Sequence, residues 1–385
     1  MDEPGDARVS TLELFFDLVF VFTITQVAFV VEHHPSARTA AQALVELAVI
    51  YWMYGGYAWL TNTLGVDSQR QRVVLLLGMA AFFVVSLAVP GAFDRNGVAF
   101  AWAYLLLNVV HLAGFLIGGL PGAGAAIRRV GTINLTACAF LLVAAYAGDG
   151  WRWPLWLAAI VLHWGLALSA RVGSAFPIGA AHFAERHGLM IIIALGESVI
   201  SVALAAEGHE ITPGLAAGVL SGLAASPALW WCYFAGEDDA AAEAFAALPA
   251  ERRGPVALTG YDMPHVFMLG GIVGLAAGIR YSLPHLTAAA HVESAVLVAG
   301  GVALYLLALA WFRAGLRFAT PLPRVAAAAV VLATIPLGTA VGTAVQLVGV
   351  AVLLAALLLV ERRIGAGPSA HRDARIGPAA ADPAG

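Results

Sequence analysis

Two carboxylates lie at the start of the first long apolar stretch, in the segment ELFFDLVFVF of residues 13–22. Glu13 and Asp17 are four residues apart, so a helix would present them one turn apart on the same face. Carboxylates in that arrangement repel each other. A bound proton or cation would relieve the repulsion, and so would an arginine from a neighbouring helix. The first interpretation is a functional site, and the second is an ion pair that holds a helix bundle together.

A second concentration of polar residues lies in the segment HFAERHGLMIIIALGES of residues 182–198. Arg186 lies at the entry to this apolar stretch, and Glu197 and Ser198 lie near its middle. Glu197 follows Arg186 by eleven residues, or roughly 16 Å along a helix, so it must find another partner, stay protonated or bind something. An acid at that depth in a membrane is a candidate functional residue, and a hydrogen bond to another helix is the structural alternative.

His182 and Glu185 are three residues apart, a spacing found at metal sites inside helix bundles. The complete pattern needs further carboxylates from partner helices, so this pair is a metal candidate without a full ligand set. The alternative is an interfacial pair at the end of the helix. His187 lies five residues from His182 and cannot share its face well.

Further ionisable residues interrupt other apolar stretches. Asp262 and His265 would share one face of a later helix, with Pro264 between them, and we expect them to close a polar network with the first and seventh helices. Glu46 and His111 are the other candidates for that network, because an ionisable side chain in a bilayer must face protein or water.

The composition defines the class of protein. Of the 385 residues, 61% are hydrophobic and only 11% are charged, whereas soluble domains carry about a quarter charged residues. The sequence therefore predicts an all-α polytopic membrane protein surrounded by the lipid bilayer. We find no basic patch for nucleic acid, no phosphate loop, no nucleophile elbow and no cofactor motif, so neither a nucleic-acid partner nor a cofactor is expected. Cys138 and Cys232 are predicted to be buried small hydrophobes.

Polar, proline and glycine breaks divide the chain into apolar runs long enough to span a bilayer. Twelve spans are predicted, at residues 12–31, 40–60, 73–92, 98–119, 130–148, 154–170, 188–206, 212–234, 262–281, 288–312, 323–341 and 343–360. The last two are separated only by Gly342, so eleven or ten spans stay open. With twelve spans, all arginines but Arg38, Arg95, Arg152 and Arg280 fall on one side. Because basic residues favour the cytoplasmic side, both termini are predicted there.

The predicted domain organisation follows from these spans. Residues 1–235 form a membrane domain with helices one to eight, and residues 256–363 form one with helices nine to twelve. Residues 236–255 are predicted to be a cytoplasmic linker with a short surface helix, and residues 364–385 to be a disordered cytoplasmic tail. A division into two six-helix halves is an alternative that the sequence leaves open.

The chain resembles the bacterial low temperature requirement A family at ELFFDLVFVFTITQ and at HFAERHGLMIIIALGES, in residues 13–26 and 182–198. The likeness extends to a histidine near the start of a late glycine-rich helix, here His265, although Pro264 precedes it. The resemblance implies a multi-spanning protein of the bacterial cytoplasmic membrane with a link to growth at low temperature. It implies no established activity or catalytic residue.

The segment FFDLVFVFTIT is also similar to the opening of a potassium channel family built from six-helix units. In that family the segment belongs to the first, pore-lining helix. Here Phe16 replaces a serine of that motif, and Arg8 lies farther from Asp17 than the motif places its arginine.

Three functions are compatible with the sequence. The first is a transporter or channel for a proton, cation or small solute, lined by Asp17 and Glu197, with His182, Glu185 and His265 as relay or gate. The second is a structural or adaptor membrane protein for cold or stress adaptation without transport. The third is an intramembrane metalloenzyme that uses residues 182–187. The substrate, the energy coupling and the oligomeric state do not follow from the sequence.

Overall fold

The computed structural model describes residues 9–167, 178–208, 210–282 and 289–365, and within these ranges all regular structure is helical. The helices are α1 (Thr11–His33), α2 (Ala37–Leu64), α3 (Gln69–Ala88), α4 (Gly97–Gly118), α5 (Gly124–Tyr146), α6 (Asp149–Ala167), α7 (Ala180–Ala206), α8 (Pro213–Phe234), α9 (Glu237–Ala246), α10 (Ala250–Val256), α11 (Met263–Ser282), α12 (Val292–Leu316), α13 (Leu322–Leu332), α14 (Ile335–Ala340) and α15 (Thr343–Arg363). The predicted all-α membrane fold is confirmed.

The described chain contains ten helical stretches that are long and apolar enough to cross a membrane. Ten of the twelve predicted spans are among them. The remaining two correspond to α6 and α7, helices of 19 and 27 residues that are not among the ten. At Gly342 the backbone adopts φ +148°, and this break separates α15 from the span formed by α13 and α14. The two six-helix halves stay a prediction.

The first three helices begin with serine caps. The Ser10 side chain accepts a hydrogen bond from the Glu13 N–H, and the Glu13 carboxylate accepts one from the Ser10 N–H at 2.9 Å. Ser36 and Ser68 cap α2 and α3 in the same way. Each capping box satisfies N–H groups that the first turn of a helix leaves free. Glu13 is therefore fixed at the first turn of α1 before any tertiary contact is considered.

The polar residues of interest lie where the first helices meet the later ones. Helices α1 and α2 both pack against α7 and α11. Helix α11 belongs to the most enclosed of these ten stretches, in which 78% of an 18-residue apolar segment is buried. It packs along α12 through glycines: a Cβ at Gly271 would lie 2.5 Å from the carbonyl oxygen of Gly301. Small residues permit such close contact between membrane helices.

A π-helical turn, Ala257–Asp262, joins α10 to α11. Pro264 follows two residues later and has no N–H to donate, so the regular helical hydrogen-bond pattern is interrupted there. Turns of this kind are rare and frequently occur at functional sites. This one places Asp262 at the beginning of α11, facing α7.

The segment predicted as a linker, residues 236–255, contains α9 and most of α10. One face of α9, with Glu237, Ala244 and Phe245, is buried, and the helix packs against α7 and α8. The segment is therefore packed into the bundle on that face. The predicted tail lies outside the described residues from residue 366 onward, and its disorder stays a prediction.

Candidate functional site

The two acids at the start of α1 share one arginine. Arg186 on α7 donates from Nη1 to Glu13 Oε1 at 3.1 Å and from Nη2 to Asp17 Oδ1 at 2.7 Å. Tyr54 on α2 donates from its hydroxyl to the same Asp17 oxygen at 2.8 Å. The Arg186 guanidinium also lies 5.6 Å from the centre of the Tyr54 ring. Three helices are thus joined through one guanidinium, as the structural interpretation of the two acids requires.

His182 also contacts Glu13, and the neighbours of His182 determine which of its ring nitrogens carries the proton. Asn62 on α2 donates from Nδ2 to the Gly179 carbonyl and accepts the Gly179 N–H on Oδ1, so the orientation of its amide is fixed. Its Nδ2 lies 3.0 Å from His182 Nδ1, which must therefore accept. The proton is left on Nε2, which lies 3.1 Å from Glu13 Oε1. His182 satisfies both neighbours as a neutral imidazole.

We call Glu13, Asp17, Tyr54, His182 and Arg186 the acidic cluster. With both carboxylates and the guanidinium ionised and the imidazole neutral, it carries a net charge of −1. Asp17 is completely buried, and its second oxygen, Oδ2, has no hydrogen-bond partner in the described part of the chain. Burial of an uncompensated charge is unfavourable. The cluster is therefore suited to holding a proton or a cation beside Asp17.

A second group, the His–Asp cluster, consists of His187, Tyr233, Asp262 and His265. His187 Nε2 on α7 lies 2.9 Å from Asp262 Oδ1, and Tyr233 Oη on α8 lies 3.0 Å from His265 Nε2 on α11. The two imidazole rings are 4.7 Å apart between centroids. All four side chains are buried. The expected contact of the ninth predicted helix with the seventh is present, between Asp262 and His187.

The other predicted site residues lie elsewhere. Glu185 is exposed and accepts the Val9 N–H at 3.3 Å. Glu197 and Ser198 are buried on α7, roughly 16 Å along the helix axis from Arg186, at a different level of the bundle. The Ser198 hydroxyl donates to the Ala194 carbonyl of its own helix. Glu197 and Asp17 were expected to line one path, and this arrangement stays a prediction.

Glu46 and His111 are also buried, on α2 and α4. Glu46 Oε2 has no hydrogen-bond partner among the described residues. The His111 ring lies against Gly56 and Tyr57 of α2. Both side chains are thus inside the protein and away from lipid, as the cost of an ionisable group in hydrocarbon requires.

Sequence reasoning missed a third group, the ion network, which consists of Glu237, Arg313, Arg324 and Glu361. Arg313 donates to both carboxylates, with 2.7 Å from Nη1 to Glu361 Oε1, and Arg324 Nη2 lies 2.9 Å from Glu361 Oε2 and 3.2 Å from Glu237 Oε1. All four side chains are at most 3% exposed. Two acids and two arginines balance, so the network is neutral. Their positions near helix ends resembled ordinary interfacial charges in the sequence.

The metal candidates do not converge. His182 turns inward to Glu13, whereas Glu185 turns outward to the backbone before α1. Within the described ranges, no three His, Cys, Asp or Glu side chains are grouped so that they could hold a metal ion. Cys138 and Cys232 are both buried free thiols, as predicted.

The long apolar helices, with ionisable side chains buried between them, define a multi-pass helical membrane protein. The model of the bacterial low temperature requirement A protein family matches residues 8–359. The chain belongs to that family. It is also similar to an uncharacterized protein of Rhizobium meliloti, with 26% identity over 323 residues, which cover 81% of this chain and 78% of the relative. The resemblance at the Glu13–Gln26 and His182–Ser198 segments is thereby confirmed.

Proposed function

We propose that this protein is a transporter or channel that moves a proton, another cation or a small solute across the bacterial cytoplasmic membrane. The acidic cluster is its polar centre. The observation that carries the proposal is the net negative charge of the cluster, together with the buried Asp17 oxygen that has no hydrogen-bond partner among the described residues. A proton or cation bound at that oxygen would bring the cluster to neutrality.

Burial of a charged side chain in the hydrocarbon region of a membrane is unfavourable. Charged side chains inside a membrane protein therefore frequently mark the paths of ions and protons. Glu13 and Asp17 lie in the first two turns of α1, so a bound ion would enter from that end of the bundle. The arginine excess supports a cytoplasmic position for this end. In this proposal Arg186 keeps the two carboxylates ionised and oriented, and Asp17 receives the cation.

A second candidate function is that of a structural or adaptor membrane protein in cold or stress adaptation. It is favoured by the neutral ion network, in which two arginines satisfy two carboxylates across α9, α12, α13 and α15. Under this alternative, Arg186 would likewise serve only to join α1, α2 and α7. Substitutions in the acidic cluster would then change stability or abundance and leave no transport to lose.

Flux measurements on purified protein in lipid vesicles test the proposal. Vesicles with wild-type protein should dissipate an imposed proton, sodium or potassium gradient faster than protein-free vesicles. Asp17→Asn should abolish that flux, and Glu197→Gln should reduce it if Glu197 lines the same path. Asp149→Asn is the matched control, because this carboxylate is 88% exposed and should be dispensable. Wild-type flux equal to that of empty vesicles for all three cations would favour the structural alternative.

A further inference from the structure

We propose that His187 and Asp262 hold one exchangeable proton between them, and that this proton is the ion to which transport through the acidic cluster is coupled. The coupling rests on the function proposed above. The proton site itself rests only on the hydrogen-bond geometry of the His–Asp cluster.

Both ring nitrogens of His187 face hydrogen-bond acceptors. Nδ1 lies 2.8 Å from the Phe183 carbonyl oxygen, one turn earlier on α7, and a carbonyl can only accept. Nδ1 must therefore carry a proton. Nε2 lies 2.9 Å from Asp262 Oδ1, so a hydrogen bond there requires a second proton, either on Nε2 or on the carboxyl group. A neutral histidine beside an ionised aspartate would lack this proton.

The neighbouring histidine shows the opposite arrangement. His265 Nδ1 lies 2.8 Å from the Tyr261 carbonyl, so it also carries a proton and donates. Its Nε2, however, lies 3.0 Å from the Tyr233 hydroxyl, which can donate to it. His265 therefore satisfies both partners as a neutral imidazole. The extra proton of the cluster belongs to the His187–Asp262 pair.

Several titratable groups from other elements surround this pair. Tyr51 on α2 interacts electrostatically with Asp262, His265 on α11 interacts with His187, and Asp238 on α9 interacts with Tyr261 of the π-helical turn and with Tyr233 on α8. On α7 itself, Arg186 precedes His187 in the chain. The charged side chains of this set are thus Asp238 and Arg186, and the others are tyrosines and His265. With the shared proton the His187–Asp262 pair is neutral, and without it the pair carries a charge of −1.

Loss of the proton would change the contact between helices. A neutral His187 and an ionised Asp262 would direct two lone pairs at each other across 2.9 Å, which is repulsive. The contact joins α7 to the last residue of the π-helical turn, where the backbone departs from regular α-helix and Pro264 removes one N–H. The two protonation states would therefore favour different positions of the start of α11 relative to α7.

This contact adjoins the acidic cluster on two helices. Arg186 and His187 are consecutive on α7, and Tyr54 and Gly55 are consecutive on α2. A Cβ at Gly55 would lie 3.7 Å from Asp262 Oδ1, so Asp262 packs directly beside the helix that carries Tyr54. Movement of α7 against α11 would therefore reach Arg186 and Asp17 through packed neighbours.

The test is to locate the proton in purified full-length protein by ¹⁵N NMR of its histidine side chains and by the infrared band of protonated carboxyl groups. The His187 signal is assigned as the one lost in His187→Gln. At neutral pH we expect either two protonated His187 nitrogens or a carboxylic acid band that disappears in Asp262→Asn. In Asp262→Asn the imidazole should be a neutral ring protonated at Nδ1 alone, because the new amide can donate to Nε2.

His163→Gln is the control, since His163 is buried on α6, where its ring stacks on Trp52. It should leave the His187 signal unchanged. A His187 that is singly protonated from about pH 5 to pH 9 in the wild type, with no carboxylic acid band that disappears in Asp262→Asn, would overturn the proton site. Flux that persists unchanged in Asp262→Asn would overturn the coupling and leave the proposed transport intact.

Discussion

Because the acidic cluster carries a net negative charge, two substitutions in it should have very different effects on protein stability. The wild-type cluster, with Glu13, Asp17 and Arg186 ionised, carries −1. Asp17→Asn reduces this charge to zero and keeps an oxygen that accepts from Tyr54 and Arg186. Arg186→Gln raises the magnitude to −2 and leaves two buried carboxylates, 3% and 0% exposed, without their common cation.

The expected changes in the free energy of unfolding follow from these net charges. Removing one partner of a buried ion pair costs about 3–5 kcal/mol in the free energy of unfolding, and Arg186→Gln should fall in that range. Asp17→Asn should change the free energy of unfolding by about 1 kcal/mol or less, because a neutral Glu13–Arg186 pair remains. Arg152→Gln is the control for loss of an arginine near the surface, and it should cost about 1 kcal/mol or less.

The assay is denaturant unfolding of purified protein in detergent micelles, followed by tryptophan fluorescence. The predicted order of stability places Asp17→Asn beside the wild type and Arg186→Gln far below both. If Asp17→Asn destabilises the protein as much as Arg186→Gln, the two acids serve mainly as ion-pair partners and the cation site is refuted. If Arg186→Gln costs no more than Arg152→Gln, the buried pairing itself is refuted.

Two further predictions concern packing. Glu361→Gln leaves the ion network with two arginines and one acid, so it should lower the free energy of unfolding by about 3–5 kcal/mol in the same assay; a loss as small as that of Arg152→Gln would contradict this. Gly271→Ala should cost about 1–3 kcal/mol or more, because its Cβ would meet the α12 backbone, whereas Gly300→Ala, with open space around its Cβ, should be nearly neutral. Equal thermal stability of the two glycine variants would show that α11 and α12 can separate without cost.

The positions of most helices could be predicted because apolar run length is a direct requirement of the bilayer. The break at Gly342 is a local signal, and α15 begins directly after it. The number of spans was harder to predict. Among the described residues, α6 and α7 correspond to two predicted spans and are not among the ten stretches that are long and apolar enough to cross a membrane.

Residue types at the site could also be predicted, but their partners could not. Glu13 and Asp17 were expected to need an arginine or a cation, and the structure supplies Arg186 while leaving one Asp17 oxygen without a hydrogen-bond partner among the described residues. Which arginine it would be depends on helix packing, which a single sequence does not encode in any local pattern. The ion network was missed for the same reason, since its Glu237–Arg313 contact joins residues 76 positions apart.

The most direct test of the central claim is cation flux in vesicles that contain either the wild type or Asp17→Asn, each first shown to be folded by the unfolding assay. We expect the wild type to dissipate a proton or alkali-cation gradient faster than protein-free vesicles, and Asp17→Asn, although equally stable, not to do so. Flux in Asp17→Asn equal to that of the wild type would contradict the assignment of Asp17. No flux in the wild type would contradict the proposed function.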